Sequence, residues 1–347
     1  MTAELKNTEN LLSHIDLDSW QAFVEERVDS TALHHRQWIE LLMEQYGFKL
    51  HLPAITENGQ VRAAMPFLET TSLRGSKKLV SLPFTDYFSV LSSGDGAVEI
   101  LCDALRSDLI PKIKSVVFRS DASIRGLEVQ SEQVRHELFT GRPLGQIEAS
   151  FDDAVKRNLR RTRENDLQFK SRRDADAMET FYRLHLMTRK KLGVPVQPKR
   201  FFQRLHERMI QSELAFVGVV SKDREPIAAG VFLTYHKRFI YKYAASHPKA
   251  LKYRPNDCLV YNGIKLAVED GFDWFDFGAS DKRQAGLRRF KRKWGASESD
   301  IYHNYIKGAA ESEASDSHAF RIASAIIRVS PQIVCRALGE VFYKYSQ

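Results

Sequence analysis

Three cysteines in 347 residues (Cys102, Cys258 and Cys335) are too few and too scattered for a disulfide framework or a cysteine zinc site, and they suit a reducing compartment. No stretch approaches the roughly 20 uninterrupted apolar residues of a spanning helix. The opening Met1-Thr2-Ala3-Glu4-Leu5-Lys6 lacks the charged-then-apolar pattern of a secretory signal. These absences lead to the expectation of a cytoplasmic protein. The first half has no glycine-rich phosphate loop and no regular βαβ repeat. The His34-His35 pair has no ligand set near it in sequence, so no metal site is expected.

What is present is an ordinary packed composition, 43% hydrophobic and 28% charged, which excludes a disordered chain. The length favours two domains over one. Net charge is +8, and the excess gathers at residues 156–173 and 282–293. Clustered positive charge fits phosphates, RNA or an acidic membrane face. The first cluster reads equally well as a solvated face; the second has aromatic residues interleaved.

Periodicity predicts helices at 17–24 and around Trp38 to Gly47, strands at 53–55, 61–68 and 78–82, a loop at 82–88, a helix at 99–109 and a strand at 115–119. A helix over 151–164 has a densely basic face, and the domain boundary is set near Ser150. The second half reads as helices at 178–192 and 201–210, a three-strand meander (214–220, 226–235, 239–245), and a helix N-capped by Asn256 with Gly271 at its end. A strand at 272–277, a basic helix at 287–293 and a strand at 300–306 complete it. The expected fold class is α+β, with domains at 1–150 and 151–308. A tail at 309–347, broken by Pro331, forms two amphipathic helices that either dock on the protein or lie on an anionic membrane.

The order helix, helix, meander, helix, strand, helix, strand resembles a GNAT acyltransferase domain. Residues 274–295 read Trp-Phe-Asp-Phe-Gly-Ala-Ser-Asp-Lys-Arg-Gln-Ala-Gly-Leu-Arg-Arg-Phe-Lys-Arg-Lys-Trp-Gly. This resembles the FemAB-like transferases, whose second domain carries Asp-Phe-Gly, a short loop, then Phe-Lys-x-x-Trp/Phe-Gly. The runs Arg189 to Pro195 with Pro198 to Phe202, and Leu82-Pro83-Phe84-Thr85-Asp86-Tyr87, are similar to other parts of that family. The proline-broken tail resembles a subgroup associated with exopolysaccharide and protein-sorting systems.

The resemblance implies two tandem GNAT-like domains. It implies transfer of an aminoacyl or acyl group to an amine or hydroxyl of an envelope precursor, of peptidoglycan or exopolysaccharide. No cofactor is expected to be resident; the co-substrate is aminoacyl-tRNA or acyl-CoA, and tRNA and a peripheral membrane face are the further expected partners. The family's functional lysine falls on Lys291, with Arg288, Arg289 and Lys293 in the same basic patch, where cations would neutralise a phosphate or a developing oxyanion. Asp86 is the first-domain candidate for binding a substrate amine, or else a turn aspartate bonding its own backbone. Tyr243 and Tyr261 are candidates to donate a proton or to pack. Asp276 is a candidate for substrate binding or for a strand support.

One departure stands out. CoA-using GNAT proteins place a glycine-rich loop before the third helix, so that backbone N–H groups reach a pyrophosphate. Here the position reads Lys252-Tyr253-Arg254-Pro255-Asn256-Asp257-Cys258, without glycine and with a proline that lacks a donor. That weighs toward aminoacyl-tRNA, whose backbone the basic 156–173 segment would track. Two alternatives stay open: an acyl-CoA-dependent GNAT N-acetyltransferase, and a non-enzymatic RNA- or membrane-binding protein on a GNAT scaffold.

Overall fold

The computed structural model describes residues 12–72, 75–94, 96–108, 113–308 and 327. The expected tail at 309–347 lies outside the described residues apart from Ile327. The class is mixed α+β, as expected. By contacts the chain forms two compact units, one from residues up to 132 together with 300–308, the other from 133–299. The chain first crosses between them at Glu132/Gln133, ahead of the boundary read at Ser150.

The first unit opens with β1 (Leu12–His14), α1 (Leu17–Glu25) and α2 (Arg36–Tyr46). Asp16 caps α1 by accepting from Ser19 N at 2.7 Å. α2 ends at Gly47 in the left-handed region (φ 70). Next come β2 (Lys49–His51), β3 (Pro53–Glu57), β4 (Gln60–Ala64), β5 (Phe67–Thr71), β6 (Lys77–Val80), β7 (Leu91–Ser92), α3 (Ala97–Asp108) and β8 (Ile113–Ser120). The run 61–68 expected as one strand is two. Met65-Pro66 interrupts it, because proline cannot donate to a ladder. β4 joins the sheet β1-β3-β4-β7, and β5 lies between β2 and β6 in another. β6 pairs parallel to β8 across α3.

Strand β9 (Glu128–Phe139), unread in the sequence, leads into the second unit. Beyond it lie α4 (Leu144–Ala149), α5 (Asp153–Glu164), β10 (Gln168–Arg172), α6 (Ala175–Leu192) and α7 (Lys199–Leu205), which runs into a π-helical turn, His206–Ile210. The meander is β11 (Ala215–Lys222), β12 (Glu225–Tyr235) and β13 (Arg238–Ser246). A 3-10 turn (Pro248–Tyr253) precedes α8 (Pro255–Glu269), β14 (Trp274–Asp281), α9 (Ala285–Arg292) and β15 (Ser297–Lys307), whose last part returns to pair with β8. In the second unit the strand order is β10-β11-β12-β13-β14-β9, antiparallel except for β13 beside β14.

The second unit's core is a ring cluster: Phe216, Phe232, Phe239 and Phe275 stand with successive centroids 5.1–5.5 Å apart. Burying each contributes roughly 2–3 kcal/mol. α8 lies against these rings at Gly263, where an added Cβ would meet Phe232 at 2.8 Å. The helix starts earlier than read. Arg254 is its cap residue, in the left-handed region (φ 63), and Pro255 takes the first helical position. Proline suits that place because its fixed φ is already helical and its missing N–H would have had no intrahelical partner. Asn256 is therefore inside the helix and does not cap it.

Candidate functional site

β13 and β14 pair at three positions, Arg238↔Trp274, Phe239↔Phe275 and Ile240↔Asp276, and the ladder then stops. Each strand is bulged just beyond. β13 shifts register against β12 where Val231 faces Tyr243 and Phe232 faces Tyr241, which leaves Lys242 as the extra residue. β14 shifts against β9 between Asp276 and Ala279. A bulge bends its strand, so the two strands part into a wedge.

The bulge in β14 is held by two residues of the 274–295 motif. Asp276, 2% exposed, accepts from Gly278 N at 2.6 Å. Lys291 of α9, 5% exposed, donates its ammonium to the carbonyls of Gly278 (2.8 Å) and Ala279 (2.9 Å). A buried ammonium is costly unless its protons are bonded, and the bulge frees the carbonyls that bond it. The resemblance implies Lys291 as a cation for a phosphate or a developing oxyanion. The fold turns it inward because the 3.6-residue period of α9 sends Lys291 to the strand side and Arg289 and Lys293 to the other.

Arg288 also goes to the strand side. It holds Glu298 through Nη2 (2.6 Å) and Nε (3.1 Å), and Glu298 accepts from His136 Nε2 at 2.9 Å. The Arg288 bond holds the Glu298 carboxyl down to about 2, and burial lowers His136 to about 4, with Lys291 acting in the same direction. The expected basic patch thus divides: Arg289 and Lys293 line a cavity, and Arg288 is not part of its wall.

That cavity, of about 550 Å³, lies where the parted end of β13 leads through the 3-10 turn into α8. Its walls are Ala154, Val155 and Asn158 of α5, Leu251 and Arg254 before α8, Pro255, Asn256 and Asp257 in its first turn, and Gly286, Arg289, Phe290 and Lys293 on or next to α9. No side chain caps the first turn of α8. Asp257 N and Cys258 N both turn back to Arg254 O, at 3.1 and 3.2 Å. Asp257 is 7% exposed and accepts from Asn158 Nδ2 at 2.9 Å. Burial raises its carboxyl, against the pull of Asn158, Arg254 and Lys293. Three cations around one buried acid can seat a phosphorylated group.

The other expected residues fall outside the cavity wall. Tyr243, half-buried on the parted end of β13, packs against Phe202 (5.5 Å), Phe201 (6.2 Å) and His185 (6.4 Å). Tyr261 donates its hydroxyl to Glu148 at 2.6 Å, and burial with that carboxylate raises its pKa. Asp86 belongs to the first unit. Its loop turns through positive φ at Leu82 (50) and Phe84 (62), and its charge opposes the burial that lowers Arg119. Arg254, Asp257 and Asn158 were not singled out from the sequence. Asn158 and Asp257 stand 99 positions apart, so spacing carries no sign of their bond. A signal did exist in Arg-Pro-Asn-Asp, a helix-start pattern with its acid in the first turn. Among the described residues no group of three His, Cys, Asp or Glu side chains is placed to hold a metal ion, and no helix is long and apolar enough to cross a membrane.

Comparisons with known proteins agree with this geometry. Residues 149–292 match the model of an acetyltransferase (GNAT) domain. No curated protein matches the sequence. Among solved structures the chain is similar to FemX, at 15% identity with a TM-score of 0.69, over 84% of this chain and 96% of that one. It is also similar to the C-terminal domain of a putative lysylphosphatidylglycerol synthetase from Agrobacterium fabrum (12% identity, TM-score 0.58, 90% and 96% covered). A third is L-PGS from Bacillus licheniformis (13%, 0.56, 90% and 98%). At these identities the likeness is one of fold. The parallel pair that parts, the crossover helix between its strands and the sequence match together make residues 149–292 a GNAT-type acyltransferase domain.

Proposed function

We propose that this protein moves an aminoacyl or acyl group from a phosphorylated donor to an amine or hydroxyl of a cell-envelope precursor, of peptidoglycan or exopolysaccharide. The observation that carries the reading is the wedge between β13 and β14; a cavity at the start of α8, which Arg254, Arg289 and Lys293 line, supplies cations for a donor phosphate. The acceptor nitrogen or oxygen attacks the donor's carbonyl carbon in the wedge. The bond to the donor's oxygen or sulfur then breaks, and the acceptor's proton passes to that leaving atom. Lys291 and Asp276 support this as positioning residues, since they shape the strand that forms one wall. Tyr243, on the other strand, is the candidate to relay the proton, and Asp86 is a separate candidate, within the first unit, for binding an amine.

Two donors fit the class. The GNAT match favours acyl-CoA. The cationic face of α5, where Lys156, Arg157, Arg160 and Arg161 are exposed beside cavity-lining Asn158, favours a longer polyanion such as aminoacyl-tRNA. The folds of FemX and of the lysylphosphatidylglycerol synthetase domain support an envelope acceptor. The test is transfer of a radiolabelled aminoacyl group from charged tRNA, or of acetyl from acetyl-CoA, to a nucleotide-linked muropeptide or a polysaccharide precursor. Transfer should fall at least tenfold in Arg289→Gln/Lys293→Gln. Label that reaches neither acceptor from either donor would end the proposal.

A further inference from the structure

Asp257 is a carboxylate in a cavity whose other charged side chains are cations. Given the proposal that this cavity seats the donor, we infer that Asp257, fixed by Asn158, is its specificity-determining residue. It admits a donor with a single phosphate at the first turn of α8 and turns away a diphosphate.

The first support is a count of donors. A diphosphate at a helix start needs several backbone N–H groups. Here Pro255 has none, and those of Asp257 and Cys258 return to Arg254 O at 3.1 and 3.2 Å. The Asn256 N–H is the one this turn leaves to a ligand, enough for one phosphate oxygen. The side-chain cations reach in from separate elements, Arg254 ahead of α8, and Arg289 and Lys293 from α9 and its end.

The second support is the placement of the acid. Aspartates in the first turns of other helices serve the helix dipole from solvent: Asp18 of α1 has 82% of its side chain exposed, and Asp153 and Asp176 are exposed. Asp257 is 7% exposed, is bonded by a side chain of α5, and feels Arg254 and Lys293. Burying a carboxylate is unfavourable, so a helix needing only an N-terminal charge gains nothing from sinking it. Sunk there, it offsets part of the cavity's positive charge and repels a second phosphate. It also offers an acceptor to a hydroxyl or amine of the ligand, as a ribose would present.

The experiment is calorimetric binding of AMP, ADP and coenzyme A to the full chain and to Asp257→Asn, with Asp257→Ser as a second variant should the first not fold. Wild type should bind AMP at least as tightly as ADP. Asp257→Asn should tighten ADP and coenzyme A about tenfold while AMP changes by no more than about threefold. An ADP-to-AMP ratio that Asp257→Asn leaves unchanged overturns the inference, and Asp257 then serves only the helix. Loss of all nucleotide binding in a folded wild type overturns the donor cavity as well. Binding with an unaltered preference overturns the inference alone.

Discussion

The two units contain the same device, a parallel strand pair joined by a crossover helix, and treat it in opposite ways. In the first unit β6 and β8 pair at four positions, from Lys77↔Ile113 to Val80↔Val117. The chain beyond β6 stays bonded to β8, through Ser81 N to Val117 O (3.0 Å) and Phe88 N to Arg119 O (2.7 Å). In the second unit β13 and β14 pair at three positions and part. The closed pair has a loop laid along its seam; the open pair has a bulge on each strand and a cationic cavity beyond. Element order is therefore insufficient to locate a GNAT-type wedge. What separates the halves is whether buried polar groups hold the strands apart, as Lys291 and Asp276 do, or tie a loop across them, as Trp38 does to Thr85 (3.0 Å).

The largest expected effect comes from Lys291→Met, which keeps the bulk and removes the charge. Two carbonyls lose a charged donor at roughly 2 kcal/mol each, so stability in urea should fall by about 4 kcal/mol. Transfer should fall with it. A variant that keeps both within error would show that the bulge holds without its ammonium.

Acid should strain both units through buried neutral histidines: His34 in the first, lowered to about 4 by burial, and His185 in the second, lowered to about 3 by burial and Arg189. The unfolded chain protonates these near 6.5, whereas the folded chain does not until the lower value. Between the two the unfolded state binds more protons, so their contribution is full above about 6.5 and is lost as pH falls. Comparing urea unfolding at about pH 7 and pH 4.5, His185→Gln should shrink the difference by roughly 2 kcal/mol. An acid limb that does not move would exclude His185 as its cause.

The smallest effect is expected from Trp38→Phe, which cuts the tie to Thr85. The cost is about 1–2 kcal/mol, and limited proteolysis should find new cleavage in residues 82–90. Unchanged digestion would mean the seam of the first unit closes without that tie.

The second unit was the more legible half because its elements obey local rules. The helix that became α6 ends on Gly193 in the left-handed region (φ 71), and the meander's turns are short. β9 and α4 went unread because neither has a clean period bounded by turn residues. In the site, Arg289 and Lys293 were read and found at the cavity. Lys291 was read by resemblance as a cation for a phosphate or for the charge of the intermediate; the fold sets it against two backbone carbonyls, since a sequence names a helix residue but not the face that packing buries.

By itself the sequence determined the α+β class and the element order from α6 to β15, because propensity, caps and periodicity act over a few residues; the Asp-Phe-Gly to Phe-Lys motif it offered as a resemblance. The tertiary structure alone decided that this motif braces a bulge, that β13 and β14 part after Ile240 and Asp276, and that Asp257 meets Asn158. Those outcomes depend on which hydrogen-bonding groups are left without partners once distant strands and helices pack, and no local pattern counts them.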